Sequence, residues 1–145
     1  MTAISKITTL PQDLDELSRT ARNEGFTFLD RLIQDFEKGA NRFAGPSEAL
    51  FEARQQSRLV AIGGLNIDPY ATKASVGRIR RFYVSPDHRR SGVGRSLLEA
   101  IEQHAKFSFS ELRLRTDTAR GASFYDRMDY QRVANQKHAT HIKTL

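Results

Sequence analysis

Residues Arg89-Arg90-Ser91-Gly92-Val93-Gly94-Arg95 combine three arginines with two glycines two positions apart, just ahead of a run with helical spacing. The first N–H groups of a helix have no intrahelical partner, and the macrodipole puts partial positive charge there. Glycine lets an anion come close to the main chain, and the arginines add formal charge beside it. Such a construction holds a phosphate or pyrophosphate. Two nucleotide patterns built from similar parts do not fit. A Walker A loop needs Gly-Lys followed by Ser or Thr, which is absent. A dinucleotide fingerprint needs glycine where Leu97 stands, and an acid about 20 residues on that ends a strand; Glu111 is near that spacing but precedes a strand.

The flanking elements must present this loop. Arg78–Val84 is rich in strand formers, with Ile79, Phe82, Tyr83 and Val84. Ser85-Pro86-Asp87 is a turn signal. Ser96–Ala105 is expected to be helical, with Val93, Leu97 and Ile101 four apart. Upstream, Ile4–Leu10 suggests a first strand. A helix follows from Pro11, with Asp13, Asp15 and Glu16 in its first turn and Gly25 as its stop. Thr27 precedes a second helix, Phe28–Lys38, ended by Gly39. Ala49–Gln55 and Arg58–Leu65 are strand-like around a turn at Gln56-Ser57, and Gly63-Gly64 within the second suggests a bulge or a close backbone approach. After the central stretch come a strand at Glu111–Thr116, expected beside Arg78–Val84, a short helix at Ala119–Met128, and closing strands at Tyr130–Val133 and His138–Lys143. The order is mixed α/β. With no repeat, low-complexity tract or linker, residues 1–145 are expected to form one domain.

The arrangement strand, Pro turn, Arg89-x-x-Gly92-x-Gly94, helix resembles the acetyl-CoA-binding motif of the GNAT superfamily of N-acetyltransferases, and Tyr83 to Leu98 follows that pattern at nearly every position. A second stretch, Thr116–Tyr130, resembles the family's other cofactor motif, in which a helix carries Phe-Tyr and a later aromatic; Phe124-Tyr125 and Tyr130 match. Thr118, Gly121 and Asp129 depart from the residues common there. The resemblance implies a mostly antiparallel, strongly twisted sheet with helices on both faces and a splayed central strand pair. It implies acetyl-CoA as co-substrate, no metal, and transfer of the acetyl group to a primary amine of a small molecule, peptide or protein. Main-chain N–H groups of Arg90, Ser91, Gly92, Val93, Gly94 and Arg95 would hold the pyrophosphate, with Arg89, Arg90 and Arg95 side chains as charged donors. Phe82, Tyr83 and Val84 would lie along the pantetheine arm, Phe82 and Val84 pairing through their backbone, and a backbone N–H near Val84 would polarise the thioester. Tyr125 is the implied acid for the leaving thiolate, and Phe124 packs beside the cofactor.

The general base is open. Many family members carry a glutamate on the central strand, where this chain has Arg78, Arg80 and Arg81. Glu52 and Asp68 are carboxylates that would act through a water, although each fits a solvated surface acid as well. A non-catalytic CoA-binding module is therefore an alternative reading. So is a nucleic-acid-binding domain, suggested only by a net charge of +6 and a pI near 10.0. The local reading is preferred, because six arginines fall within the eighteen positions from Arg78 to Arg95. The chain has no cysteine, which excludes a disulfide frame, a thiolate nucleophile and cysteine-ligated zinc. No apolar run approaches the ~18 residues of a membrane span, and Met1–Ile7 lacks the apolar core of a signal peptide, so a cytoplasmic location is expected. Many members of the family pair as homodimers, a state the resemblance allows.

Overall fold

A computed structural model describes Met1–Leu145. The elements in order are β1 (Thr2–Ile7), α1 (Leu14–Asn23), α2 (Phe28–Lys38), β2 (Ala49–Gln55), β3 (Arg58–Ile67), β4 (Val76–Val84), α3 (Val93–Ala105), β5 (Glu111–Leu114), α4 (Ala119–Arg127), β6 (Gln131–Arg132) and β7 (His141–Thr144). The first strand ends three residues before Leu10, because Pro11 and the turn into α1 take the chain off the sheet edge. Gly25, at φ +90°, closes α1: its N–H reaches the Arg22 carbonyl (2.9 Å) and the Phe26 N–H reaches that of Ala21 (3.0 Å). That sharp stop places Glu24 and Phe26 on the short link to α2, which Phe28 begins.

The seven strands form one sheet in the order β1-β2-β3-β4-β5-β7-β6, antiparallel throughout except for β4 beside β5. Two apolar cores lie on its opposite faces. Leu14, Leu17, Leu29 and Leu32 of α1 and α2 pack on Leu50, Ile62 and Tyr83. On the other side Leu97, Leu98 and Ile101 of α3 pack on Ala61, Leu65, Ile79 and Leu112.

β5 lies beside β4 as expected, and the two central strands splay apart as the resemblance implies, so their pairing does not extend along Arg78–Val84. β4 and β5 pair only from Val76 opposite Glu111 to Arg78 opposite Arg113. Beyond that β5 stops at Leu114, while β4 runs on to Val84 with no strand on that side. A bulge accompanies the divergence. Gly64 faces Arg80 and Ile62 faces Tyr83, so Arg81 and Phe82 together oppose Gly63. Arg81 takes φ +56°, as the extra residue of a bulge can. This bulge thus lies on β4, opposite Gly63, rather than at Gly63-Gly64 themselves. Those glycines serve side-chain packing: a Cβ at Gly63 would lie 2.7 Å from the Phe82 ring, and one at Gly64 would run into the Phe43 ring.

Candidate active site

The gap between β4 and β5 opens into a groove of about 1320 Å³ that continues past Val84 to the start of α3 and is walled by α4. Its cradle end is built locally. Pro86 begins a single 3₁₀ turn, Pro86–His88, after which Arg89 returns to an extended conformation. Arg90 (φ +64°) and Gly92 (φ +87°) then reverse the chain into the helix. The helix starts at Val93, three residues before the expected Ser96, so Gly94 and Arg95 belong to its first turn. No hydrogen bond within the chain uses the N–H groups of Arg90 to Arg95; the first helical N–H to find an acceptor is that of Ser96, on the Gly92 carbonyl at 3.0 Å. Gly94 allows a close fit, since a Cβ there would meet Phe124 at 3.2 Å and Val84 at 3.5 Å.

The predicted cofactor residues separate into groups. Phe82, Tyr83, Val84, Arg89, Arg90, Gly92, Gly94, Arg95, Phe124 and Tyr125 all line the groove. Val93 does not: its side chain is fully buried in the α3 core, leaving only its main chain for the cradle. The Ser91 hydroxyl donates to the His88 carbonyl and stays at the surface. Along β4, the Ser85 N–H bonds the Val60 carbonyl of β3 (2.8 Å). By the alternation of a strand, the N–H groups of Val84 and Phe82 near it point the other way, into the gap.

Arg89 is turned from the cradle. Its guanidinium grips Glu24 in a bidentate pair (2.7 and 2.8 Å), and its Nε donates to the Val84 carbonyl (3.1 Å). The Tyr83 hydroxyl donates to the same carboxylate, and Arg120 stands 3.6 Å from it. The Arg89 guanidinium above all, then the Tyr83 hydroxyl, hold the Glu24 carboxyl down to about 2, against the raising effect of its burial. Tyr83 itself is pushed up, by burial first and Glu24 second. This cluster ties the end of β4 to the α1–α2 link. No motif announced Glu24, which lies 65 residues from Arg89.

Tyr125 is 7% exposed, and its ring touches those of Phe82, Phe124, Tyr130 and His141. Burial alone raises its hydroxyl above the ordinary phenol value, so it stays protonated at neutral pH. Phe124 stacks on Phe82 across the groove, with centroids 5.7 Å apart. α4 is capped by the Thr118 hydroxyl, which accepts from the Gly121 N–H at 3.0 Å. Arg120 and Arg127, seven apart and therefore on one helical face, both line the groove. That spacing was readable in the sequence.

Ten of the 28 lining residues are arginines, and Asp117 is the one lining acid. Neither expected carboxylate is there. Glu52 pairs with Arg54 at 2.7 Å outside the groove. Asp68, expected at the surface, is 3% exposed and accepts from the Tyr70 N–H at 2.9 Å while facing Arg78.

The sequence profile of the acetyltransferase (GNAT) domain matches residues 46–132, more than half of the chain. The chain belongs to the GNAT acetyltransferase family. The similar solved structures agree with the fold. A presumed acetyltransferase from Exiguobacterium sp. 255-15 is 27% identical with a TM-score of 0.89, covering 99% of this chain and 93% of that one. An acetyltransferase from Streptococcus agalactiae 2603 is 19% identical at 0.77, covering 99% and 98%. The PaiA N-acetyltransferase of Thermoplasma acidophilum, solved in complex with coenzyme A, is 18% identical at 0.68, covering 99% of each chain. No curated protein matches the chain in sequence. As a GNAT acetyltransferase it is an acyltransferase, and none of its helices is long and apolar enough to cross a membrane.

Proposed function

We propose that this GNAT protein transfers an acetyl group from acetyl-CoA to a primary amine, using the groove between β4 and β5. One observation carries the reading: a cradle of free main-chain N–H groups at Arg90–Arg95 opens into the same groove as the unpaired edge of β4. The first fits a pyrophosphate, and the second fits an amide-bearing arm that adds as a strand. Arg90, Arg95, Arg120 and Arg127 add charge at that end, whereas Arg89 serves by holding the strand end against Glu24.

When bound, the donor supplies an activated acetyl thioester. The chain's own groups act around it. The Phe82 N–H, turned into the gap next to the bulge, donates to the carbonyl oxygen as charge develops, while the Val84 N–H pairs with the arm. The acceptor nitrogen forms the C–N bond with the carbonyl carbon, the C–S bond breaks, and the leaving sulfur takes the proton of the Tyr125 hydroxyl. The amine must arrive neutral. With Asp117 the one lining acid, the arginine field itself favours this, since nearby positive charge lowers an ammonium pKa. The nitrogen, positively charged once the C–N bond has formed, sheds one proton to water, and water returns a proton to the Tyr125 phenolate, so that amide and thiol are the net products.

Calorimetric titration of acetyl-CoA into the wild type, Gly92→Glu and Gly92→Ala tests the cradle. Both variants pay the same backbone cost at φ +87°, with open space around the new Cβ. Only Gly92→Glu brings a carboxylate. Tight wild-type binding, retained in Gly92→Ala and weakened at least about 100-fold in Gly92→Glu, is expected. Absence of binding in folded wild type would sink the proposal.

A further inference from the structure

The groove continues from the cradle toward the start of β4, where its charge has no role in holding phosphates of the donor. Strand alternation puts Arg78 and Arg80 on the face covered by α1 and α2: Arg80 pairs with Gly64, whose missing Cβ would point at Phe43 of that core. The bulge adds Arg81 to the same face, where its guanidinium stands 3.8 Å from Asp35 of α2. Arg31 of α2 lines the groove as well. Two consecutive arginines on one face of a strand are possible only because of the bulge.

These side chains are poorly compensated. Arg78 is 7% exposed, its nearest carboxylate oxygen, on Asp68, is 3.8 Å away, and its buried Nη1 has no hydrogen-bond partner. The Tyr70 ring lies under its guanidinium at 4.9 Å, fixing its direction. The ion pairs that hold Arg78 and Arg81 at 3.8 Å are too long for hydrogen bonds, and Arg31 and Arg80 enter no ion pair in the chain. Burial, with Arg80 as a like-charged neighbour, disfavours the charged forms of both Arg78 and Arg81. An unpaired buried guanidinium costs stability unless a ligand anion completes it.

We propose that this end of the groove binds an oxyanion carried by the acceptor, so that the substrates are amines that also bear a carboxylate or a phosphate, gripped by Arg80, Arg81, Arg78 and Arg31. The inference rests on the transferase reading above. With the arm along Val84 to Phe82, the reacting carbonyl sits near the bulge. Arg80 and Arg78 then lie about 7 and 13 Å further along the strand, the span of a small bifunctional amine. Guanidinium forks match both oxyanions bidentately.

The test offers matched amines to the wild type with acetyl-CoA: β-alanine against β-alaninamide, and phosphoethanolamine against ethanolamine, with release of free CoA thiol as readout. The charged member of at least one pair is expected to have a kcat/KM at least about 10-fold higher, and the pair that shows it says which oxyanion is preferred. Arg80→Gln should bring that ratio toward one, whereas Arg90→Gln should raise the KM for acetyl-CoA and leave the ratio. Neutral amines used as well as charged ones, or a ratio unmoved by Arg80→Gln, would overturn the proposal. A titration of inorganic phosphate into CoA-saturated protein reads the same site without turnover. Binding to wild type at least about 5-fold tighter than to Arg80→Gln is expected; no binding, or equal binding, overturns it. Failure of wild type to bind acetyl-CoA would instead strike the transferase reading, and phosphate titrations of Arg80→Gln against Arg90→Gln would still judge the anion site.

Discussion

Tyr125 is the residue on which the proposed chemistry can be tested most cleanly. Its hydroxyl meets no hydrogen-bond partner within the chain, so Tyr125→Phe removes a proton donor without orphaning another group. The variant is expected to keep its melting temperature and lose about 100-fold in kcat, with KM for acetyl-CoA nearly unchanged. An unchanged kcat would make Tyr125 a packing residue. Because burial raises this hydroxyl, it stays a competent acid up to the ordinary phenol pKa of about 10 and beyond. The kcat profile should therefore show no falling limb from it below that pH. Glu24 gives a second residue-scale test. Its carboxyl is lowered from 4.5 to about 2 by Arg89 and then by Tyr83, so the pair stabilises the fold above pH 4.5 and that contribution fades as pH falls toward 2. The pair is about a quarter exposed, which discounts the shift for screening. Glu24→Gln should cost about 1–2 kcal/mol at neutral pH. Denaturant titrations should show the difference from wild type shrinking across that acid window. A constant difference down to the lower pH would place the cost elsewhere.

At the scale of elements, β4 does the positioning. It is held by β3 along its length and by β5 only at its start, and the bulge turns its far half away. Gly63 and Gly64 sit behind this strand on opposite faces. Adding a methyl at Gly63 presses on Phe82, which lines the groove, and adding one at Gly64 presses on Phe43, which does not. Gly63→Ala and Gly64→Ala should each lose about 1–3 kcal/mol by overpacking. Only Gly63→Ala should also weaken acetyl-CoA binding, by several-fold, in the same calorimetric titration. Equal effects on binding would mean that Phe82 does not shape the arm's path.

The whole molecule is basic, with a net charge of +6, and the groove accounts for much of that through ten arginines against one acid. A field concentrated in a cleft attracts polyanions and is screened by salt. Raising NaCl from about 0.05 to 0.5 M should weaken acetyl-CoA binding roughly 10-fold. The same experiment with duplex DNA tests whether the charge is general: strong binding that acetyl-CoA does not compete would locate a second basic surface.

The chain's own order was enough to determine the glycine-bearing turn into α3, the element succession and the family. A strand, a proline turn, a glycine-bearing loop and a helix are contiguous, and their geometry depends on neighbours a few residues away. The helical faces of α1, α2 and α3 were legible for the same reason, since apolar spacing is a local property. Boundaries slipped at element ends: α3 begins at Val93, the first residue of its apolar series, because Arg90 and Gly92 turn the chain just ahead of it, and β5 stops at Leu114 where β4 has diverged. Only the tertiary structure decided what Arg89 touches, where the bulge lies, and which face Arg80 and Arg81 share. Each is a non-local outcome. Glu24 reaches Arg89 across 65 residues, and the bulge exists only in the register of β4 against β3. Spacing within one strand predicts alternate faces for consecutive arginines. The extra residue in the register cancels that alternation, and packing of the whole sheet against its helices is what selects the register.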